Sequence, residues 1–284
     1  MARLASHLPA HPLTRFAPAP TGYLHLGHVL NAEYVWGLAR ALDGRVLLRI
    51  EDHDRGRSRP EFETAILDDL DWLGYRADVC TTDNYRAGSC PGRQSDRGDV
   101  YMAALTSLAN RGLVYGCGCS RRSMAMSGES AEVHYRGRCR GKNIALDAGV
   151  GWRLRMEPGL ETFEDARLGP QAQDPSAQCG DLLLRDRNGN WTYQFAVTVD
   201  DWQQGVELVI RGTDLLASTG RQLRLARLLG REQMPVYVHH PLIMKSPDLK
   251  LSKSDGDTGI RELRRRGWTP EEVRRAAGEM INRF

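Results

Sequence analysis

Two histidines, His25 and His28, stand three residues apart with Gly27 between them. They close the run Arg15-Phe16-Ala17-Pro18-Ala19-Pro20-Thr21-Gly22-Tyr23-Leu24. At a helix start that spacing puts both imidazoles on one face. The first amides of a helix have no intrahelical partner and attract anions, so two ring N–H donors beside them predict a phosphate site. Gly27 is expected to let a nucleotide lie close to the backbone. The same residues also fit a plainer reading, two histidines that merely satisfy a helix N-terminus. Two further groups carry chemistry: the acidic run Glu51-Asp52-His53-Asp54-Arg55 and the basic run Lys250-Leu251-Ser252-Lys253-Ser254. Glu51 is the natural holder of a substrate ammonium, while Asp52 and Asp54 fit helix caps equally well. Lysines in a loop suit phosphates.

A separate group involves sulfur. Cys117 and Cys119 are joined across a basic stretch by Cys139. Three clustered thiols in a loop-like segment predict a structural, tetrahedral zinc site. On chemistry alone His134 leads as fourth ligand, because imidazole is a common ligand and phenolate a rare one. Arg121, Arg122, Arg136, Arg138, Arg140 and Lys142 surround the cluster. They suit RNA phosphates and a solvated rim equally. Cys80, Cys90 and Cys179 have no such grouping and read as ordinary thiols.

The elements that must position these groups follow from periodicity. Residues 13–16 form a short apolar strand. Residues 29–42 carry apolar positions near the helical period, and 45–50 hold the continuous run Val46-Leu47-Leu48, as in a strand covered on both faces. Strand, helix, strand is a βαβ unit, and ligands bind beyond the carboxyl ends of such strands. Glu51 should therefore face the same crevice as His25 and His28. Ser58-Arg59-Pro60-Glu61 reads as a capping box opening a helix that ends at Gly74. Helices are also expected over 100–110 and 219–229, and strands over 181–185, 205–210 and 235–239. Arg221, Arg224 and Arg227 read as a solvated basic face. Thr269-Pro270-Glu271-Glu272 opens a last helix.

Of 284 residues, 41% are hydrophobic and 26% charged, with a net charge of +3. No apolar run is long enough for a membrane span, and the first residues do not form a secretory signal. A monomeric, cytoplasmic α/β chain without a membrane partner is the expectation.

The order Arg-Phe-Ala-Pro-x-Pro-Thr-Gly-x-Leu-His-x-Gly-His, Leu-Arg-Ile-Glu-Asp-x-Asp, Leu-x-Trp-Leu-Gly resembles the catalytic domain of glutamyl-tRNA synthetases. The likeness continues through Tyr193 to Asp201 and the Lys250–Lys253 run. It implies a Rossmann-like class I synthetase fold. By this reading 1–112 and 191–245 are the two halves of the catalytic domain, 113–190 is a zinc-binding insertion, and 246–284 holds the lysine loop and a short helical segment, with no anticodon-binding domain. The resemblance implies ATP, with Mg2+, at His25, Gly27, His28, Lys250 and Lys253, with His25, His28 and Lys253 catalytic. It places glutamate against Arg15, Phe16, Ala17, Pro18, Ala19, Glu51, Tyr193 and Arg211. Arg15 and Arg211 can each fork onto a carboxylate, which suits an acidic amino acid better than a neutral one. The family's usual serine is Ala19 here, so one hydroxyl contact to the amino acid is missing.

Shortened relatives of this family, the glutamyl-queuosine tRNA(Asp) synthetases, share a Cys-x-Cys…Tyr-x-x-x-Cys zinc site. That likeness selects Tyr135 over His134 and makes Cys117, Cys119, Tyr135 and Cys139 the metal ligands. It also implies glutamyl transfer to queuosine in the tRNA(Asp) anticodon stem-loop. Charging of tRNA(Glu) by a truncated enzyme, a non-catalytic RNA-binding paralogue and another nucleotidylyltransferase are the alternatives.

Overall fold

A computed structural model describes residues 8–120, 134–242, 244–246, 249–250 and 259–279. Its centre is a six-stranded sheet. β1 (Leu13–Phe16) is followed by α1 (Leu26–Ala41) and β2 (Arg45–Leu48), and β1 pairs with β2 in parallel. The chain returns as β8 (Leu208–Gly212) on the other side of β1, again parallel, and β9 (Val236–His240) lies beside β8. The order β2-β1-β8-β9 reverses direction of growth at β1, which is where open α/β sheets bind ligands.

β1 and most of β2 are buried, as continuous apolar runs covered on both faces require. α1 buries Leu26, Val29, Leu30, Ala32, Val35 and Ala39 against them. α2 (Pro60–Leu73) ends at Gly74, whose φ of 77° gives a left-handed cap. The expected capping box at its start is absent. Arg59 is the N-cap, no side chain caps it, and the buried Ser58 Oγ has no hydrogen-bond partner. The box at the last helix does form. Thr269 N–H donates to Glu272 at 2.7 Å and Glu272 N–H to Thr269 Oγ1 at 3.3 Å.

After α3 (Thr82–Ala87) and α4 (Gly98–Asn110) comes β3 (Val114–Cys117), which pairs antiparallel with β4 (Gly151–Leu154). β4 in turn pairs antiparallel with β7 (Leu182–Arg185) to complete a small three-stranded sheet. Between β4 and β7 the chain contributes something the sequence did not signal. β5 (Glu161–Asp165) and β6 (Gly169–Gln173), inside the span expected to be an insertion, extend the main sheet as β9-β5-β6, and α5 (Pro175–Cys179) leads back to β7. The segment from Trp191 is helical, as the resemblance implied: α6 covers Tyr193–Gln203. α7 (Thr219–Leu229) packs on α6, and its arginines are not simply solvated. Arg224 and Arg227 both bond Glu161, and Arg224 also holds the carbonyls of Glu157 and Gly159. Strands β10 (Met244–Ser246) and β11 (Leu249–Lys250) form a hairpin. α8 (Ile260–Arg265) and α9 (Pro270–Glu279) follow, and α9 packs across α1. No described helix is long and apolar enough to cross a membrane.

Candidate active site and cysteine cluster

The histidine pair caps α1. His25 is the N-cap residue, and its Nδ1 accepts from Gly27 N–H at 3.0 Å. His28 Nδ1 accepts from His25 N–H at 3.1 Å, and the two rings lie 4.0 Å apart. With both Nδ1 atoms accepting, each neutral ring carries its proton on Nε2. The amides of His25 and Gly27 are both engaged within the cap. Gly27 also leaves room for the His25 ring. A Cβ there would lie 2.8 Å from His25 Cε1, so the space is taken by the imidazole itself.

The chain returns to this cap at Gly259, five residues after the lysine run. Gly259 forms a bridge with His25, and Ile260 N–H donates to Leu24 O at 2.9 Å. Lys253, Arg121 and Arg122 lie outside the described residues, and only the backbone of Lys250, in β11, is described.

Arg15, Glu51, Tyr193 and Arg211 converge at the carboxyl ends of β1, β2 and β8. Tyr193 lies among these charges. Burial and then the charge of Glu51 push its pKa up to about 12, opposed by Arg211 and Arg15. Phe16 and Pro18 are buried beside Arg15, and Ala17 and Ala19 are half-buried.

How these charges are held was not legible in the sequence. Arg15 Nε donates to Asp201 Oδ1 at 3.0 Å, and Arg49 NH1 reaches the same oxygen at 2.7 Å. Arg49 also holds Glu51 Oε1 at 3.1 Å through NH2. The result is an alternating row, Arg15–Asp201–Arg49–Glu51, with Arg49 wholly buried. Burial opposes ionisation of Asp201, but Arg15 and Arg49 outweigh it and bring its pKa down to about 2. An arginine inside an apolar strand run was the available signal. Asp200, next to it, takes Arg97 at 2.7 Å, Tyr101 at 2.8 Å and Gln94 at 2.8 Å.

Arg211 differs. It is buried, yet its acceptors are His239 Nε2 at 3.0 Å, Gln222 Oε1 at 2.7 Å and Thr219 Oγ1 at 2.8 Å. None is a carboxylate, and no ion pair involves Arg211 among the described residues. Asp52 takes Ser95 N–H and Arg55, and Asp54 takes Gly56 N–H and Arg57.

A buried guanidinium whose hydrogen-bond partners among the described residues are all neutral, two imidazoles at a helix cap and a nearby carboxylate suit a zwitterionic acid and a phosphate chain. The tRNA synthetases class I (E and Q) catalytic-domain model matches residues 13–280. The chain belongs to this family. Among class I synthetases of this type, a glutamyl-Q tRNA(Asp) synthetase of Bordetella bronchiseptica is 46% identical over 85% of this chain and 75% of its own. One of Rhodobacter capsulatus is 38% identical over 94% of this chain and 99% of its own. A crystal structure of a glutamate tRNA ligase from Elizabethkingia meningosepticum, in complex with its amino acid, is 28% identical with a TM-score of 0.74. The synthetase described here spans 53% of that longer chain, and the match covers 87% of this one.

At the end of β3 the synthetase gathers its thiols. The sulfurs of Cys117, Cys119 and Cys139 all lie within 4.8 Å of one another, with Cys119 and Cys139 at 3.6 Å. A tetrahedral zinc with bonds near 2.3 Å needs sulfurs about 3.8 Å apart. The Tyr135 hydroxyl lies 3.3 Å from Cys117 Sγ and 3.7 Å from Cys119 Sγ. His134 is not part of this group. Tyr135 is held from behind. Arg153 stacks on its ring at 3.8 Å, and its backbone pairs with Cys179 and Asp181. That approach requires Gly180: φ there is 62°, and a Cβ would meet Tyr135 O at 1.9 Å.

Proposed function

We propose that this synthetase activates glutamate with ATP and passes the glutamyl group to queuosine in the anticodon stem-loop of tRNA(Asp). One observation carries the amino-acid half: Arg211 is a buried guanidinium whose hydrogen-bond partners are all neutral. Burying an unpaired charge is costly, so the pocket favours an anionic ligand. Arg15 and Arg211 receive the two carboxylates of glutamate, and Glu51 Oε2, the oxygen not used by Arg49, receives the ammonium. Phe16, Ala17, Pro18, Ala19 and Tyr193 wall the site.

The chemistry follows from position and charge. The glutamate α-carboxylate attacks the α-phosphate of ATP, the bond to pyrophosphate breaks, and glutamyl-adenylate forms. The Nε2–H groups of His25 and His28 stabilise charge growing on the phosphates. Gly27 keeps the cap shape, and Lys250 and Lys253 act from the other side. Mg2+, arriving with ATP, neutralises phosphate charge. A nucleophile on the queuosine base then attacks the activated carbonyl, and AMP leaves. No covalent enzyme intermediate is involved.

The choice of acceptor draws on the identity to relatives named glutamyl-Q tRNA(Asp) synthetases. We assign Cys117, Cys119, Cys139 and Tyr135 to one structural zinc, which would brace the β3-β4-β7 sheet of residues 113–190, and we assign the RNA contact to that segment. The test is transfer of labelled glutamate to tRNA(Asp) with and without queuosine. Label should appear only with queuosine. Equal labelling, or none, defeats the proposal, and label on tRNA(Glu) favours ordinary charging.

A further inference from the structure

His239 stands next to Arg211 in register on the parallel pair β8 and β9. Its buried ring connects two charged groups. Nδ1 lies 2.6 Å from Asp165 Oδ2, and Nε2 lies 3.0 Å from Arg211 Nε. Arginine Nε always carries hydrogen, so His239 Nε2 must accept, and the ring proton must sit on Nδ1 and point at Asp165. The neutral tautomer is fixed from both sides. Asp165 is itself anchored. Its Oδ2 also takes His239 N–H at 3.1 Å, and its Oδ1 takes the amides of Arg167 and Leu168 at 3.0 and 2.8 Å.

The other groups that face the ring come from four elements. Tyr237 of β9 stacks beside it at 5.9 Å, and Thr219 Oγ1 of α7 lies 3.4 Å from Nε2. Arg167, after β5, donates to the His239 carbonyl at 3.2 Å, and Arg15 of β1 adds positive charge. Burial lowers the pKa of His239 below its ordinary value. Arg211 and Arg15 act in the same direction, and Asp165 opposes them.

We propose that Asp165 and His239 are positioning residues that hold the Arg211 guanidinium toward the substrate carboxylate, and that protonation of His239 releases it. The inference rests on the reading of Arg211 as a glutamate contact. A protonated ring would present Nε2–H to Nε–H, two donors and two like charges about 3 Å apart. The guanidinium must then turn, and its bonds to Gln222 and Thr219 go with it.

Glutamate-dependent ATP–pyrophosphate exchange, run with tRNA(Asp) present, tests this. On lowering the pH from about 7.5 to about 4, the glutamate KM should rise, beginning only below the ordinary imidazole value of 6.5 because burial lowers the His239 pKa, while the ATP KM moves less than about two-fold. His239→Gln puts an amide oxygen near the old Nε2 position and cannot titrate, so its glutamate KM should stay flat over that range. His239→Asn keeps a donor toward Asp165 but no acceptor for Arg211. Its glutamate KM should be raised about ten-fold at every pH, with kcat little changed. A flat wild-type profile, a His239→Gln enzyme that keeps the wild-type slope, or a His239→Asn enzyme in which kcat falls and both KM values rise together would overturn the relay. Should His239→Asn not fold, the wild-type and His239→Gln profiles decide. Absence of any glutamate-dependent exchange would instead remove the functional reading, and the relay's role with it.

Discussion

Asp201→Asn is the most informative single change, because Asp201 joins two buried arginines. It accepts from Arg15 at 3.0 Å and from Arg49 at 2.7 Å. Its pKa falls from 3.8 to about 2. By linkage that difference corresponds to about 2.5 kcal/mol of folding stability. The sign is that of a depressed carboxylate. The stabilisation is complete above the unfolded pKa near 3.8 and is lost as pH falls through the folded value near 2. Asparagine keeps the shape but leaves Arg15 and Arg49 sharing no anion, and breaking a buried pair from one side costs about 3–5 kcal/mol. Urea melts should place the variant about 3 kcal/mol below wild type at neutral pH, with a gap that is constant down to about pH 5. The glutamate KM should rise as well, since Arg15 loses its anchor. A loss under about 1 kcal/mol, or a gap that closes between about pH 7 and pH 5, would show that the arginines are compensated elsewhere.

Gly27→Ala pushes a methyl into the His25 ring, 2.8 Å from Cε1. It should cost about 1 kcal/mol of stability through the lost cap and lower exchange activity at saturating glutamate, and an unchanged rate would detach the ring from ATP chemistry. Tyr135→Phe removes the hydroxyl beside Cys117 and Cys119. Competition with a chromogenic chelator should show roughly ten-fold weaker zinc retention, and equal retention would return the fourth position to another ligand. Ala19→Ser restores the hydroxyl usual in the family, so the glutamate KM should drop several-fold, by about one hydrogen bond. No change would make that hydroxyl irrelevant here. Glutamine should be activated roughly a hundred-fold less well than glutamate, because it leaves a buried guanidinium without an anion. Comparable exchange with both amino acids would refute a charge-based choice.

What was legible in the sequence was whatever a short local pattern fixes. The βαβ unit, the placement of Glu51 at a strand end and the start of α7 follow from apolar spacing and caps. Long-range partners were not legible. Nothing local joins Arg49 to Asp201, which are 152 residues apart, or Asp165 to His239, which are 74 apart. β5 and β6 escaped notice because a sheet-edge pair with exposed alternate residues has little apolar content to register. Ser58 failed as a cap because cap geometry depends on φ and ψ at the junction, which composition does not set. The arginine spacing on α7 suggested a wet face. Its outcome was decided by Glu161, which arrives from a distant strand.

The arrangement of charge explains why one pocket needs three buried arginines. Arg15, Asp201, Arg49 and Glu51 alternate in sign and sum to zero, so this row can meet the opposite charges of a zwitterion without favouring a ligand of either net charge. Arg211, on β8, is held by a neutral imidazole, an amide and a hydroxyl. Asp165 lies behind the imidazole, close enough to fix its tautomer but one ring away from the guanidinium. Moving that carboxylate forward to Arg211 would satisfy the cation permanently and leave an incoming carboxylate with nothing to neutralise. The histidine therefore acts as a spacer. It supplies the hydrogen bond that orients Arg211 while withholding the charge that the ligand must bring.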